Sequence, residues 1–414
     1  MPYIISVQGV LNDTLDGPLA PHMAPFAKWI SAAGFAFSST CDQVRLVGFF
    51  SRWLGRKKIR LSDVSLKDVE SFLRYRARSQ GIFGSERAAL RRFIDYLRGQ
   101  QLLPALKIKI PRLSAVEQCA QAYAQYLREE RAVTIACVVN YVPFVREFLQ
   151  RKFGKEGVTL SRLCAQDVVR FVHYKTRRLH IGRARLLISA LRSFLRYMRY
   201  RGETTMDLAA AVPSVANWSR PSIPRAIQPD QVRRLLADVD RNTPVGRRDF
   251  AILLMLARLG LRSNAIAHLE LDDIDWKAGS LNVHSKAKGD RRLVLPLPAD
   301  VGKAIAAYLR HGRPRSASRR VFLRAKAPIR GFIDRGAVSS IVKHSLARAG
   351  IVAATKSTHQ FRHGLAGEML RHGASLSEIG ELLGHRSQDT TKLYTKIDIN
   401  ALRTLALPWP AGVR

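Results

Sequence analysis

The chain has 414 residues, 47% of them hydrophobic, and its 69 Lys and Arg against 32 Asp and Glu give a formal charge of +37 at pH 7. That apolar content excludes a disordered chain, and the length calls for two or three domains. The cations recur throughout, in "RKKIR", "RYRARSQ", "RRFIDYLR" and "YKTRRLHIGRARLL", rather than gathering in a tail; such a pattern implies folded surfaces that meet a polyanion, of which nucleic acid is the commonest.

Cys41, Cys119, Cys137 and Cys164 lie far apart with no C-x-x-C pair, which argues against a zinc ribbon or a disulfide framework and for a reducing compartment. The opening "MPYIISVQGVLNDTLDG" lacks a basic n-region and a cleavage-like site, so no signal peptide is expected. The most apolar run, "FAILLMLA" (250–257), is far short of a membrane span and reads as a core helix. A cytoplasmic protein follows, with no membrane partner.

The first half of the chain reads as wholly helical and carries a weak internal repeat. At an offset of 99, "FFSRWLGRKKIRLSDVSLKDVESFLRYRA" (49–77) matches 148–176, pairing Gly55 with Gly154, Asp68 with Asp167, Phe72 with Phe171 and Tyr75 with Tyr174. At an offset of 101, "LRRFIDYL" (90–97) matches "LRSFLRYM" (191–198). A duplicated helical module is expected. Each copy ends in an apolar stripe at helical spacing, such as Leu191, Phe194, Leu195 and Met198; the stripe is core and the arginines between its members face out. Four prolines within 212–232 then mark a linker. The expected domains are 1–110, an N-terminal helical module; 111–215, a second helical domain; 216–228, a linker; and 229–414, a C-terminal domain.

Beyond the linker, helical and strand patterns alternate. "QPDQVRRLLADVD" opens a helix. "RRDFAILLMLARLGLRSNAIAHLELDDIDW" is a buried helix, a break at Gly260 and a second helix, with "DDID" (272–275) capping a helix at a turn before a sheet. "SLNVHSKAKGDRRLVLPLP" (280–298) alternates around a turn and reads as a hairpin with a basic tip. Amphipathic helices follow. The fold class is therefore mainly α with a small antiparallel β-sheet in the C-terminal domain.

One of those helices, in "STHQFRHGLAGEML" (357–370), sets His359 and Arg362 three residues apart and follows them with His363. Residues so spaced share a helix face, and cationic groups gathered there call for an anion opposite. Taken singly, the other candidates have ordinary structural readings: Arg262 in "LGLRSNA" as a helix-terminal arginine, Lys286 and Lys288 as turn lysines, His385 in "LLGHRS" as a C-cap, Tyr394 in "TTKLYTKID" as a packing tyrosine. Their order is far more specific. G-L-R is followed about 25 residues later by a basic turn, then by H-x-x-R, then by L-L-G-H with its histidine 23 residues after Arg362, and then by a tyrosine nine residues on.

This order closely resembles the tyrosine recombinase (phage integrase) family, over roughly residues 225–405, and residues 111–210 look like that family's helical core-binding domain; the resemblance implies that 1–110 is an N-terminal DNA-binding module, either a duplicate of that domain or an arm that reads a separate DNA site. The resemblance implies a site-specific DNA recombinase that cuts and rejoins duplex DNA through a 3′-phosphotyrosine, as an integrase or transposase of a mobile genetic element. Tyr394 would be the nucleophile, with nearby cations favouring its phenolate. Arg262 and Arg362 would clamp the scissile phosphate, as guanidinium forks suit. His359 and His385 would assist proton transfer. A hairpin lysine, Lys288 in preference to Lys286, would protonate the departing 5′-oxygen. One departure stands out: the family's usual acidic residue three after the first arginine is here Ala265. Because the covalent intermediate conserves bond energy, neither a cofactor nor a metal is called for. Strand exchange implies four protomers on double-stranded DNA, alone or with related recombinases, and the tail 401–414 either reaches a neighbour or docks on its own domain. The competing readings are a type IB topoisomerase-like enzyme and an inactive DNA-binding relative.

Overall fold

The computed structural model describes residues 16–80, 84–103, 113–154, 157–214, 226–285, 291–353, 355–385, 388–392 and 394. Two compact units emerge, Leu106–Pro221 and the combination of Met1–Ala105 with Ser222–Arg414. Among the described residues no helix is long and apolar enough to cross a membrane.

The N-terminal helices are α1 (Ala20–Ala32), α2 (Phe37–Arg56), α3 (Leu66–Gln80) and α4 (Gly84–Gly99), with a 3-10 turn at Leu61–Asp63 between the second and third. In the Leu106–Pro221 unit the same order recurs as α5 (Ala115–Glu129), α6 (Ile135–Phe153), a 3-10 turn at Leu160–Arg162, α7 (Ala165–Thr176) and α8 (Ile181–Tyr200). The cores share several ring pairs. Phe50 meets Phe72 at 5.2 Å, and Phe148 meets Phe171 at 5.2 Å. Edge-on pairs recur as Phe26–Phe93 at 4.8 Å and Tyr123–Phe194 at 5.3 Å. The start of the third helix is tied alike in both: Asp68 accepts from the Ser65 N–H at 2.9 Å, and Asp167 from the Cys164 N–H at 3.2 Å. Aromatic pairs of this kind bury large areas and fix the angle between helices.

The structure corrects the register of the repeat before the turn. Phe50 matches Phe148, 98 positions on, whereas Phe72 matches Phe171 at 99. Gly55 lies inside α2, while Gly154 ends α6 with φ +60°. The two glycines are therefore not equivalent; the turn absorbs the extra residue.

The C-terminal helices and sheet are α9 (Pro229–Ala237), α10 (Pro244–Leu259), α11 (Ser263–His268), strands β1 (Ile274–Asp275), β2 (Ser280–Ser285) and β3 (Arg291–Pro296), then α12 (Ala299–His311), α13 (Arg335–Arg348), α14 (His359–Arg371), α15 (Leu376–Leu382) and α16 (Gln388–Thr391). Helix α10 starts at Pro244, capped by Thr243 Oγ1, which accepts from the Gly246 N–H at 3.0 Å. It is apolar on every side from Ala251 to Leu256 and is the buried centre of this part. The sheet is antiparallel in the order β1-β2-β3, with Leu281 opposite Leu295 and Val283 opposite Leu293. Period-two alternation buries Leu281 and Leu295 and exposes Val294. The acidic run before the sheet acts as caps: Asp273 accepts from the Glu270 N–H at 2.8 Å, and Asp275 from the N–H groups of Lys277 and Ala278.

Candidate active site

Three separated segments converge at one end of α10. The first is the exit of α10 itself. Gly260 takes the left-handed conformation, φ +56°, that a helix C-terminus requires, and a Cβ there would sit 2.9 Å from Leu383 Cδ2 and 3.0 Å from Leu365 Cδ2. The chain then turns at once into α11, whose N-cap is Arg262.

The second is the first turn of α14, which presents His359, Arg362 and His363 together. Arg362 is buried. Its Nη1 donates to the Gly260 carbonyl at 3.0 Å, and its Nη2 donates to the Leu383 carbonyl.

The third is the L-L-G-H end of α15. The His385 N–H bonds to the Gly380 carbonyl at 2.8 Å and the Gly384 N–H to that of Glu381 at 2.9 Å, with Gly384 at φ +58°. This is the paired closing motif of a helix C-terminus, and glycine fits it because its φ is positive. It leaves the carbonyls of Leu383 and Gly384 free to accept from arginines: Arg362 takes the first and Arg262 Nη2 the second, at 3.5 Å. Helix C-termini carry partial negative charge, so they suit guanidinium groups.

Tyr394 is buried against this cluster. Its ring lies 5.9 Å from His385 in a nearly parallel stack and 5.6 Å from His363. His385 Nδ1 shares a 2.8 Å hydrogen bond with Thr391 Oγ1, which fixes the orientation of the imidazole. No carboxylate of the described residues pairs with Arg262 or Arg362; main-chain carbonyls hold both. Ala265, at the position where an acid was expected from the resemblance, packs against the apolar core.

Crowded cations in a partly dry site depress one another. Burial first, then Arg262, pulls the Arg362 guanidinium down to about 10. Burial, then Arg362, Arg262 and His363, holds His385 down at about 4. His359 is lowered by burial and then by Arg362, Arg262 and Arg335; His363 is lowered by burial and then by His359 and Arg362. The three imidazoles are therefore neutral at pH 7. Tyr394 differs from expectation. Burial raises its phenol above the ordinary value, and the opposing pull of Arg362 and Arg262 does not overcome it. Tyr394 is therefore a protonated phenol at pH 7, because removing water from an oxyanion outweighs two partly shared cations.

Of the residues singled out from the sequence, Arg262, His359, Arg362, His385 and Tyr394 lie together, while Lys286, Lys288 and the tail 401–414 fall outside the described residues. The candidate set omitted His363 and Thr391. His363 was legible, four residues after His359 on one helix; Thr391 is recognised only through its hydrogen bond.

The pattern of the Phage integrase family matches residues 225–400. The chain is 52% identical to "Putative integrase/recombinase y4rA" of Sinorhizobium fredii (strain NBRC 101917 / NGR234), over 99% of each chain. Among solved structures it is similar to the XerH site-specific recombinase bound to palindromic difH substrate, with 18% identity, a TM-score of 0.57, and coverage of 77% of this chain and 94% of that one. It is similar also to a lambda integrase tetramer bound to a Holliday junction, with 15% identity, a TM-score of 0.50, and coverage of 74% and 90%. The protein belongs to the tyrosine recombinase (phage integrase) family, the site-specific DNA recombinases.

Proposed function

We propose that this chain binds duplex DNA and exchanges strands at specific sites, with Tyr394 as nucleophile. The observation that carries this reading is the convergence of Arg262, Arg362, His359 and His385 on a buried tyrosine from three segments far apart in sequence. Arg262 and Arg362 would bind the non-bridging oxygens of the scissile phosphate. Their positive field, unneutralised by carboxylates, then supplies what burial removes: with the phosphate bound, the Tyr394 proton can pass to a neutral imidazole, His359 or His385, as the phenolic oxygen attacks phosphorus. The P–O5′ bond breaks, the 3′-phosphate stays on Tyr394, and the 5′-oxygen takes a proton, for which Lys288 is the proposed donor. Attack by a 5′-hydroxyl on the phosphotyrosine reverses the step on a new partner strand, so no external energy source is required.

In this reading residues 111–215 are the core-binding domain, 229–414 the catalytic domain joined by the 216–228 linker, and 1–110 a further DNA-binding module. Four protomers act on two duplexes, in the cytoplasm, in the service of a mobile genetic element. Covalent trapping tests the chemistry. A duplex from DNA flanking its own gene, nicked just 3′ of the cleavage position, loses its short fragment on cutting and leaves a denaturant-resistant adduct. The expected adduct forms with the wild type and is absent for Tyr394→Phe. An adduct that persists in Tyr394→Phe refutes the nucleophile, and no adduct on any flanking DNA favours an inactive relative.

A further inference from the structure

His385 and Tyr394 reach the site on two segments, and one buried hydroxyl joins them. Thr391 closes α16 and stands three residues, about one turn, before Tyr394. It is 1% exposed. Its Oγ1 lies 2.8 Å from His385 Nδ1, while the Tyr394 ring stacks on the same imidazole at 5.9 Å with 16° between the planes. Helix α15 makes room for the hydroxyl with a glycine: a Cβ at Gly380 would sit 3.1 Å from Thr391 Oγ1. Among the described residues, His385 Nδ1 is the one hydrogen-bond partner of this hydroxyl. The other ring nitrogen, Nε2, is neither hydrogen-bonded nor sealed from solvent among them.

A neutral imidazole carries one hydrogen on one of two nitrogens, and the partner of either selects which. His385 is neutral at pH 7, because burial, then Arg362, Arg262 and His363, holds it at about 4. The direction of the 2.8 Å bond follows from what each alternative leaves unmet. If Nδ1–H donated, the Thr391 O–H would be a buried donor with no acceptor among the described residues. Orphaned buried donors are rarer than under-used acceptors. If Thr391 donates, only lone pairs of its oxygen go unused.

The imidazole hydrogen then sits on Nε2, at the open side of a ring that feels both Arg362 and Arg262. A bare lone pair there would repel a phosphate oxygen, whereas an N–H donates to it. We infer that Thr391 is a positioning residue of the reaction: its hydroxyl donates to His385 Nδ1 and pins the imidazole hydrogen on Nε2. His385 is thereby a donor to the bound phosphate rather than an acceptor of the Tyr394 proton, which falls to His359. Because Thr391 shares a turn with Tyr394, the bond that sets the tautomer also seats the nucleophile's segment against the ring on which it stacks. The phosphate and proton roles rest on the reading of Tyr394 as nucleophile; the tautomer does not.

The test uses the full-length, DNA-free protein with its histidines labelled at the ring nitrogens. Nitrogen NMR at about pH 7 distinguishes a ring nitrogen that carries hydrogen from one that does not, and His385→Gln identifies the His385 signals by their loss. Wild type should carry the hydrogen on Nε2. Thr391→Ser, which keeps the hydroxyl, should give the same tautomer and form adduct on the nicked duplex within about twofold of the wild-type rate. Thr391→Val keeps the shape and loses the hydroxyl. It should give a mixture of tautomers and form adduct about tenfold more slowly, the bias that one net hydrogen bond sustains. Hydrogen on Nδ1 in wild type, an unchanged tautomer in Thr391→Val, or a Thr391→Ser as slow as Thr391→Val overturns the proposal. Wild type and Thr391→Ser decide the matter even if Thr391→Val fails to fold. A wild type that makes no adduct ends the reading of Tyr394 as nucleophile, while the tautomer still decides what Thr391 does to His385.

Discussion

In the second helical module Arg146 meets Glu117 at 2.6 and 2.9 Å and Lys152 meets Asp167 at 2.7 Å; at the candidate active site Arg362 and Arg262 meet the carbonyls of Gly260, Leu383 and Gly384. Both arrangements fix a long side chain. A carboxylate also cancels its charge, whereas a carbonyl dipole leaves most of it in place. The module's surface is thus electrostatically quiet at these points, and the site keeps a positive field with three imidazoles held neutral beside it. The comparison teaches that holding an arginine and neutralising it are separable, and that a site for an anion needs the first without the second.

Removing the best-held arginine breaks the comparison most severely. Arg362→Ala should lower the rate of adduct formation by about 10²–10³, as for loss of an oxyanion donor. It also strands the carbonyls of Gly260 and Leu383, at a cost of about 1–3 kcal/mol for each that stays dry. Single-turnover trapping and urea unfolding read the two effects separately. Wild-type trapping by a destabilised variant would make the carbonyl cradle purely structural.

The histidines give a pH signature of intermediate size. In the folded chain His385 protonates at about 4, against an ordinary value of 6.5. Between those values the unfolded chain binds more protons, so the stability of the DNA-free protein should rise from pH 4 towards 6.5 and be lost as the pH falls. Thermal unfolding at pH 4.5–7.5 should show a shallower rise for His385→Asn than for wild type. Identical profiles would mean that neither burial nor the neighbouring arginines depress this ring. A bound phosphate offsets the arginines' share of the depression, though not that of burial, so DNA binding at pH 6 should take up a fraction of a proton, visible by calorimetry in buffers of different ionisation enthalpy.

The smallest effect is expected from the neutralised surface. Glu117→Gln removes the partner of a half-exposed Arg146 and should cost no more than about 1 kcal/mol, with adduct formation unchanged. A loss of several kcal/mol would show that this ion pair organises its module.

Much of the fold was legible, because helical periodicity, the Gly260 break and the hairpin alternation are local signals. The repeat was legible in outline, yet its pairing at Gly55 was misregistered: aligned sequence cannot tell which side of a turn holds an extra residue. Arg262, His359, Arg362, His385 and Tyr394 were found by their order along the chain. His363 was noted beside Arg362 but given no role although it shares the helix face of His359, and Thr391 carried no signal of its own.

The sequence by itself determined the chemical inventory: the cations, the helix face that joins His359 to Arg362, and the glycine that must close α15 before His385. Those depend on neighbours a few residues away. The tertiary structure decided how the inventory behaves. It brought the carbonyls of Gly260 and Leu383 to Arg362 from 102 and 21 residues away. It buried Tyr394 deeply enough to raise its phenol despite the arginines beside it. Desolvation and charge coupling depend on three-dimensional distance, and no local pattern encodes them.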